Sequence, residues 1–264
     1  MTELTLAPLS NFDVGAVASA AVAVVAYRAR SLDAGGAVAA FAVGTATYGA
    51  LGPQGAAVLL AFFVTSVAFS RMGKTRKEKA FVDIGKTGPR DAAQVLANGG
   101  VAAICALLAL WVDARYAVAF AGAFAAATAD TWGTEIGSLA RLQPRSILTR
   151  KPVATGISGG VTALGLLAEF AGALLIALVA HLLRPHVLLP VACAGIAGAL
   201  LDSVLGATLQ SLRWCPNCKR PTEREPHTCG ANTSHLRGLS WFVNDAVNFT
   251  ATLAAAALAF ALAR

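Results

Sequence analysis

Apolar residues fall into eight runs along this chain, at 12–28, 35–51, 53–70, 91–112, 114–134, 158–182, 186–208 and 241–262. Each is long enough, or nearly so, to cross the ~30 Å hydrocarbon layer of a bilayer as a helix. The pattern predicts an all-α polytopic membrane protein with about eight transmembrane helices, read as one helical domain over 1–264. The second run is rich in glycine (Gly35, Gly36, Gly44, Gly49) and reads as short or broken. The first carries no A-x-A cleavage pattern and continues into Arg28 and Arg30, so it reads as a retained helix rather than a signal peptide.

The polar positions inside these runs are few and specific. Asp130 and Glu135 stand in AGAFAAATADTWGTEIGSLA, Asp202 in VACAGIAGALLDSVLGATLQ, Asn98 in DAAQVLANGGVAAICALLALWV, and Asn244, Asp245 and Asn248 in SWFVNDAVNFTATLAAAALAFALA. A carboxylate in hydrocarbon costs several kcal/mol, so such residues face a bundle interior and mark a functional site. Composition supports this setting. Hydrophobic residues make up 56% of the 264 and charged residues 13%, against about 25% charged in soluble domains. Abundant Gly and Ala suit close helix packing in lipid.

Charge sets the orientation. With eight spans, 18 of the 21 lysines and arginines fall in the first, third, fifth and seventh loops, leaving only Arg115, Arg184 and Arg264 on the other face. The positive-inside rule places those basic loops in the cytoplasm and both termini outside, in what reads as an integral cell-membrane protein. On that topology four helices bring acids or amides to one depth near the inner leaflet, and a cavity open to the cytoplasm is expected. The net charge of +7 is mostly topology. Its functional share points to anionic headgroups or a phosphorylated substrate, and no nucleic-acid partner is expected.

Spacing sharpens the candidates. Arg90, Gln94 and Asn98 recur at i, i+4 and i+8, as do Asp202, Gly206 and Gln210, while Trp241, Asp245 and Asn248 share a third helical face. Oxygen ligands from several helices suit Mg²⁺ shared with substrate phosphates, with Asp130, Glu135, Asp202 and Asp245 as ligands and catalytic residues. The competing reading is interhelical hydrogen bonding. Lys86 and Arg90 abut the Gln94/Asn98 stripe as phosphate contacts. Lys74, Arg76, Lys77 and Lys79 read as topology and lipid-surface charges. Gly85-Lys86-Thr87 is not a P-loop, because Ala80 replaces the first glycine and Pro89 stands where the helix should run. The turn Thr155–Gly160 opens the sixth span, so Gly159 and Gly160 are candidates for anion binding at a helix start or for packing alone. Glu169 stands by itself deeper in that span.

The cysteines divide into Cys105 and Cys193, which read as small core residues, and a cluster in the 209–240 loop, C-x2-C-x8-H-x-C over Cys215, Cys218, His227 and Cys229. A reducing compartment and a Cys3His set favour a structural Zn²⁺ site over free thiols.

The segments DAAQVLANGG, ATADTWGTEIG, GISGGVTALG, GALLDSVLGATLQ and WFVNDAVN resemble those of the integral membrane family typified by plant phytyl-phosphate kinase and animal transmembrane protein 19. The likeness runs from about residue 70 onward, and the family is similar to the CTP-dependent polyprenol kinases. It implies Mg²⁺-dependent transfer of a phosphoryl group from a nucleoside triphosphate, CTP favoured, to a prenyl monophosphate such as phytyl or geranylgeranyl phosphate. Asp130 and Glu135 would carry A-D-T-x-x-x-E, Asp202 G-x-x-x-D-S-x-x-G, and Asn244 and Asp245 N-D-x-x-N. The cysteine loop departs from the plant and animal pattern. The alternatives are a transporter or flippase for a polyprenyl phosphate or a cation, and a CTP-dependent lipid cytidylyltransferase.

Overall fold

Alanine crowded around a full helical circumference gives a helix that can be buried on every side, and the run Tyr116–Gly137 becomes the centre of the fold on that account. Every side chain from Val118 to Ala129 is buried. The computed structural model describes residues 3–73, 77, 84–85 and 88–263. Among these, seven helices appear in the order α1 Glu3–Arg28, α2 Ala34–Arg71, α3 Ala92–Trp111, α4 Tyr116–Gly137, α5 Ala163–Leu183, α6 Leu188–Thr208 and α7 Asn244–Leu262. The central α4 touches α2, α3, α5, α6 and α7, while α1 lies against α2. The packing depends on small residues. A methyl group on Gly122 would sit 2.5 Å from Ala259 Cβ, and one on Gly198 would sit 2.5 Å from Ala126 Cβ, so the backbones approach as they do where lipid supplies no hydrophobic drive.

Five helices, α2, α3, α5, α6 and α7, are long and apolar enough to cross a membrane by length and composition. Large apolar side chains such as Val17, Val38, Leu167, Leu182 and Leu189 are exposed on outer faces, as a bilayer-facing surface requires.

The second and third apolar runs are two helical arms of α2 that meet at a break, as the two-run reading expected. Gly52 takes φ 59° and ψ −150° inside α2, directly before Pro53. Glycine alone adopts that backbone without strain, and proline cannot supply the helical N–H. The arms 34–51 and 53–71 fold back on each other there. A methyl on Gly44 would lie 3.9 Å from Leu59 Cδ2, a contact a straight helix forbids at fifteen residues' separation. Arg71 Nη2 reaches Ala29 O at 3.3 Å and Ser31 Oγ at 3.1 Å, just before α2 begins. Both ends of α2 therefore lie at one end of the bundle.

The long loops meet at that same end. Arg90 N–H donates to Ser31 O and Asp33 N–H to Arg90 O, both at 3.0 Å, and Glu223 N–H donates to Ile84 O at 3.0 Å. At the opposite end Arg184 Nη1 donates to Ala114 O at 3.0 Å. Loop 138–162 holds a two-stranded ribbon, β1 Arg145–Ser146 with β2 Gly160–Val161. The loop after α6 folds as an antiparallel sheet in the order β4-β3-β5, with β3 Leu212–Cys215, β4 Arg220–Thr222 and β5 Ser234–Arg237.

Several boundaries moved. The sixth run becomes helical only at Ala163, capped by Thr162, whose side chain accepts from Gly165 N–H. The eighth begins at Asn244, so Trp241 precedes the helix and stands exposed, off the face of Asp245 and Asn248. Gln210 lies past the end of α6.

Candidate functional site: an acid-lined cavity at the basic end

All seven helices and the loops at the basic end line one cavity of about 950 Å³. Its polar wall is drawn from separate elements: Asp130 and Glu135 from α4, Glu169 from α5, Asp202 from α6, and Asn244, Asp245 and Asn248 from α7. Arg90, Gln94 and Asn98 line it from α3 and the residues before it, and Ser158, Gly159 and Gly160 from the β1–β2 loop. Every described residue read from the sequence as a member of the acidic site borders this space; Lys86 lies outside the described residues, as do Lys74, Arg76 and Lys79.

The carboxyls of Asp130 and Asp202 lie close to each other on the cavity wall, one from α4 and one from α6. Neighbouring carboxylates repel as anions, a repulsion that a bound cation would relieve. Asp202 Oδ2 is buried and has no hydrogen-bond partner among the described residues. An acceptor left open at this depth, beside a second acid, is what a hard cation with oxygen ligands fills.

Other side chains have roles that the sequence did not show. Glu135 Oε2 pairs with Lys77 Nζ at 2.7 Å, and Lys77 also donates to Phe69 O at 2.6 Å. Lys77 is buried, only 6% exposed, which corrects its reading as a lipid-surface charge; Glu135 is thereby held to loop 72–91. Gln94 belongs to a capping box. Its Oε1 accepts from Asp91 N–H at 3.1 Å, while its own N–H donates to Asp91 Oδ1 at 2.9 Å. Asn98 Nδ2 donates to Gln94 O at 2.9 Å. The oxygen of Gln94 is therefore spent on fixing the start of α3. Arg90 is half-buried; burial pulls its guanidinium below the usual arginine range, and the Glu135 charge opposes that.

Gly159 and Gly160 do not open α5. Gly160 pairs with Ser146 in the ribbon. Gly159 has φ +79°, and a methyl there would lie 2.5 Å from both Ala207 Cβ and Ala207 N. Gly159 lets the loop lie directly on α6 at Ala207, and the helix N-terminus itself is three residues past Gly160.

Glu169, set apart by its depth, in fact borders the cavity. It is 9% exposed, lies against Gly133 of α4, and is within electrostatic reach of Asp130 and Asp202. Glu223 gave no sequence signal. Its carboxylate accepts from Ser158 N–H at 2.9 Å and from Gln210 Nε2 at 2.8 Å, and burial raises it above the usual carboxylate range. Glu223 follows β4 directly, so the cysteine loop reaches the cavity rim.

In that loop Cys215, Cys218, His227 and Cys229 place their ligand atoms within 4.8 Å of one another. Cys215 Sγ lies 3.6 Å from Cys229 Sγ, and His227 Nδ1 lies 3.2 Å from Cys229 Sγ and 3.7 Å from Cys218 Sγ. Metal–sulfur bonds of about 2.3 Å in a tetrahedron give edges near 3.8 Å, so the cluster could bind a metal such as zinc.

The profile of the integral membrane protein family DUF92 matches residues 17–256. The chain is similar to Protein PGR of Arabidopsis thaliana, 32% identical over 71% of this chain and 74% of that protein. It is also similar to uncharacterized membrane proteins of Methanocaldococcus jannaschii, 36% identical over 54% of this chain and 60% of the relative, and of Synechocystis, 30% identical over 56% and 59%. No solved structure matches.

Proposed function

The chain belongs to the DUF92 family of integral membrane proteins, and from that premise we propose that it is a membrane-embedded prenyl-phosphate kinase that moves the terminal phosphoryl group of a nucleoside triphosphate, CTP favoured, to a prenyl monophosphate such as phytyl or geranylgeranyl phosphate. The observation that carries this reading is the open, buried Asp202 oxygen in a single cavity lined also by Asp130, Asp245, Asn248 and Arg90. Motifs resembling the kinase family supply each of these acids.

Phosphoryl transfer asks the protein for in-line positioning and for charge to match the phosphates. Asp130, Asp202 and Asp245 would hold Mg²⁺, which when bound would supply positive charge to offset that of the donor phosphates. Arg90 would steady the phosphate of either substrate from the rim. A phosphate oxygen of the prenyl monophosphate attacks the terminal phosphorus of the donor, the bond from that phosphorus to the bridging oxygen breaks, and the nucleoside diphosphate leaves. Because the attacking group is already an anion, no general base is required. Glu135, bound to Lys77, would fix the end of α4 rather than ligate the metal alone. The basic end would face the cytoplasm, where the donor is found, in keeping with the distribution of arginine and lysine. The Cys/His cluster would hold structural Zn²⁺, because four protein ligands leave no open position.

A transport reading draws on Glu169, which extends the acids deeper into the bundle. The test is incubation of purified protein with prenyl monophosphates, Mg²⁺ and labelled CTP or ATP, resolving lipid and nucleotide products. Prenyl diphosphate with CDP or ADP is expected, and Asp130→Asn, Asp202→Asn and Asp245→Asn should each lower turnover by on the order of 10² or more. Release of diphosphate would instead indicate cytidylyl transfer. Near-normal turnover in all three variants would remove the metal-site assignment, and substrate-dependent ion flux without turnover would favour transport.

A further inference from the structure

The acid cavity continues into an apolar space that the phosphoryl chemistry does not use. Its walls are three helical faces, each set by regular spacing. Ala18 and Val22 face it from α1, Ala40, Gly44 and Tyr48 from the first arm of α2, and Ala56, Leu60 and Phe63 from the second arm. These positions recur at i, i+4 and i+7 or i+8, so each helix turns one stripe inward. Phe124 of α4 closes the fourth side. The fold of α2 at Gly52 is what makes the space: it turns both arms toward the same interior, with their open ends beside Arg90 and the acids.

The space has a defined far end. A methyl on Gly15 would lie 3.0 Å from Tyr48 Cβ, and one on Gly49 would run into the ring of Phe12. At that level α1 and α2 are in direct contact, and nothing of a tail's width passes between them. Tyr48 stands fourteen residues beyond Ala34, about 21 Å along the helix, so the corridor is closed before it crosses the ~30 Å hydrocarbon layer.

We propose that this corridor between α1 and the folded α2 holds the isoprenoid tail of the lipid phosphate, with the phosphate at Arg90 and the acids, and that Tyr48 with Ala56 sets the longest tail that fits. The assignment rests on the kinase reading for its head group and adds the tail site and its length limit. An isoprenoid is the occupant because a single continuous cavity joins anion-handling groups at one end to a slot that is apolar over the rest apart from the hydroxyls of Ser19 and Tyr48. In a bilayer or micelle the tail is already solvated by hydrocarbon, so selection comes from fit against the closed end and not from the hydrophobic effect.

The experiment measures binding and turnover separately on the full chain in detergent. Geranyl, farnesyl, geranylgeranyl and longer polyprenyl monophosphates are compared by ligand-induced thermal protection, and then as acceptors. The wild type should prefer a limited length range. Ala56→Trp, which thickens the closed end, should weaken protection by the longest bound tail about tenfold or more while leaving geranyl phosphate unchanged. Tyr48→Ala should extend the range by roughly one prenyl unit. Monodisperse elution and protection by geranyl phosphate establish that each variant is folded. A length profile that is the same in wild type and both variants overturns the corridor, and turnover under those conditions leaves the kinase standing. A profile that shifts as expected without turnover on any donor supports the corridor and refutes the kinase.

Discussion

Replacing Glu223 tests whether the cysteine loop supports the cavity. Its carboxylate accepts two bonds, from Ser158 N–H at 2.9 Å and from Gln210 Nε2 at 2.8 Å. Glu223→Ala strands both donors. A buried group left without its partner costs roughly 1–3 kcal/mol, so the pair adds up to a few kcal/mol, reduced by relief from burying a charge. Glu223→Gln is the informative control. One amide oxygen still accepts from Ser158. The new NH2 would face the Gln210 NH2, but Gln210 Oε1 is buried without a partner, and turning the Gln210 amide offers it as an acceptor. The Gln variant thus keeps both bonds and loses only attraction to Arg237, whose charge favours the Glu223 carboxylate. Membrane proteins commonly unfold irreversibly, so the measurement is the half-life of monodisperse protein in detergent at a fixed elevated temperature. The Ala variant should be inactivated much faster than wild type, and the Gln variant should be close to it. Equal half-lives for Ala and Gln would refute the reasoning.

The same carboxylate sets a pH dependence. Its folded pKa is raised by burial, so the folded state keeps its proton to higher pH than the unfolded chain, which releases it near 4.3. The favourable contribution is complete below the unfolded value and is lost as pH rises through the folded value. Wild type should therefore lose stability as pH climbs across that window, and Glu223→Gln should lack that component of the slope.

Lys77→Met should destabilise by about 3–5 kcal/mol by leaving Glu135 without its cation, and Lys77→Met with Glu135→Gln should recover most of it; equal detergent half-lives for the single and double variants would exclude the pair as the cause. Metal analysis should find about one zinc per chain, lost in Cys215→Ser and Cys218→Ser, and because β4 connects Cys218 to Glu223 these variants should also weaken ligand protection at the cavity; metal retained in both would remove the site. A tag inserted in loop 138–162 should be accessible from the cytoplasm and a reporter fused behind the C-terminus should not; the reverse pattern would overturn the orientation.

The sequence by itself determined the membrane class and singled out part of the acid layer. Asp130, Asp202 and Asp245 were legible because a carboxylate inside an apolar helix is costly enough to be rare, and the Cys3His cluster because its spacing is short and local. The one-sided charge pattern marked the end at which the acids gather. What needed tertiary structure were relations between positions far apart in the chain. The 35–51 and 53–70 runs read as two spans, but whether they separate or fold back depends on the backbone of Gly52 and the contact of Gly44 with Leu59. Lys77 looked like one more loop cation until its Nζ was found on Glu135. Gln94 matched a binding stripe, yet its oxygen closes a capping box. Glu169 looked isolated because depth counted along one helix does not show that Gly133 of the neighbouring α4 leaves room for it beside the acids. Glu223 had no periodicity to betray it, since its partners lie 65 residues back and 13 residues back. Hydrophobic pattern reports the cost of placing a residue in a medium, which is a property of that residue. Pairing, closure of a cavity and the reach of a loop are properties of two or more residues, and only the packed bundle decides them.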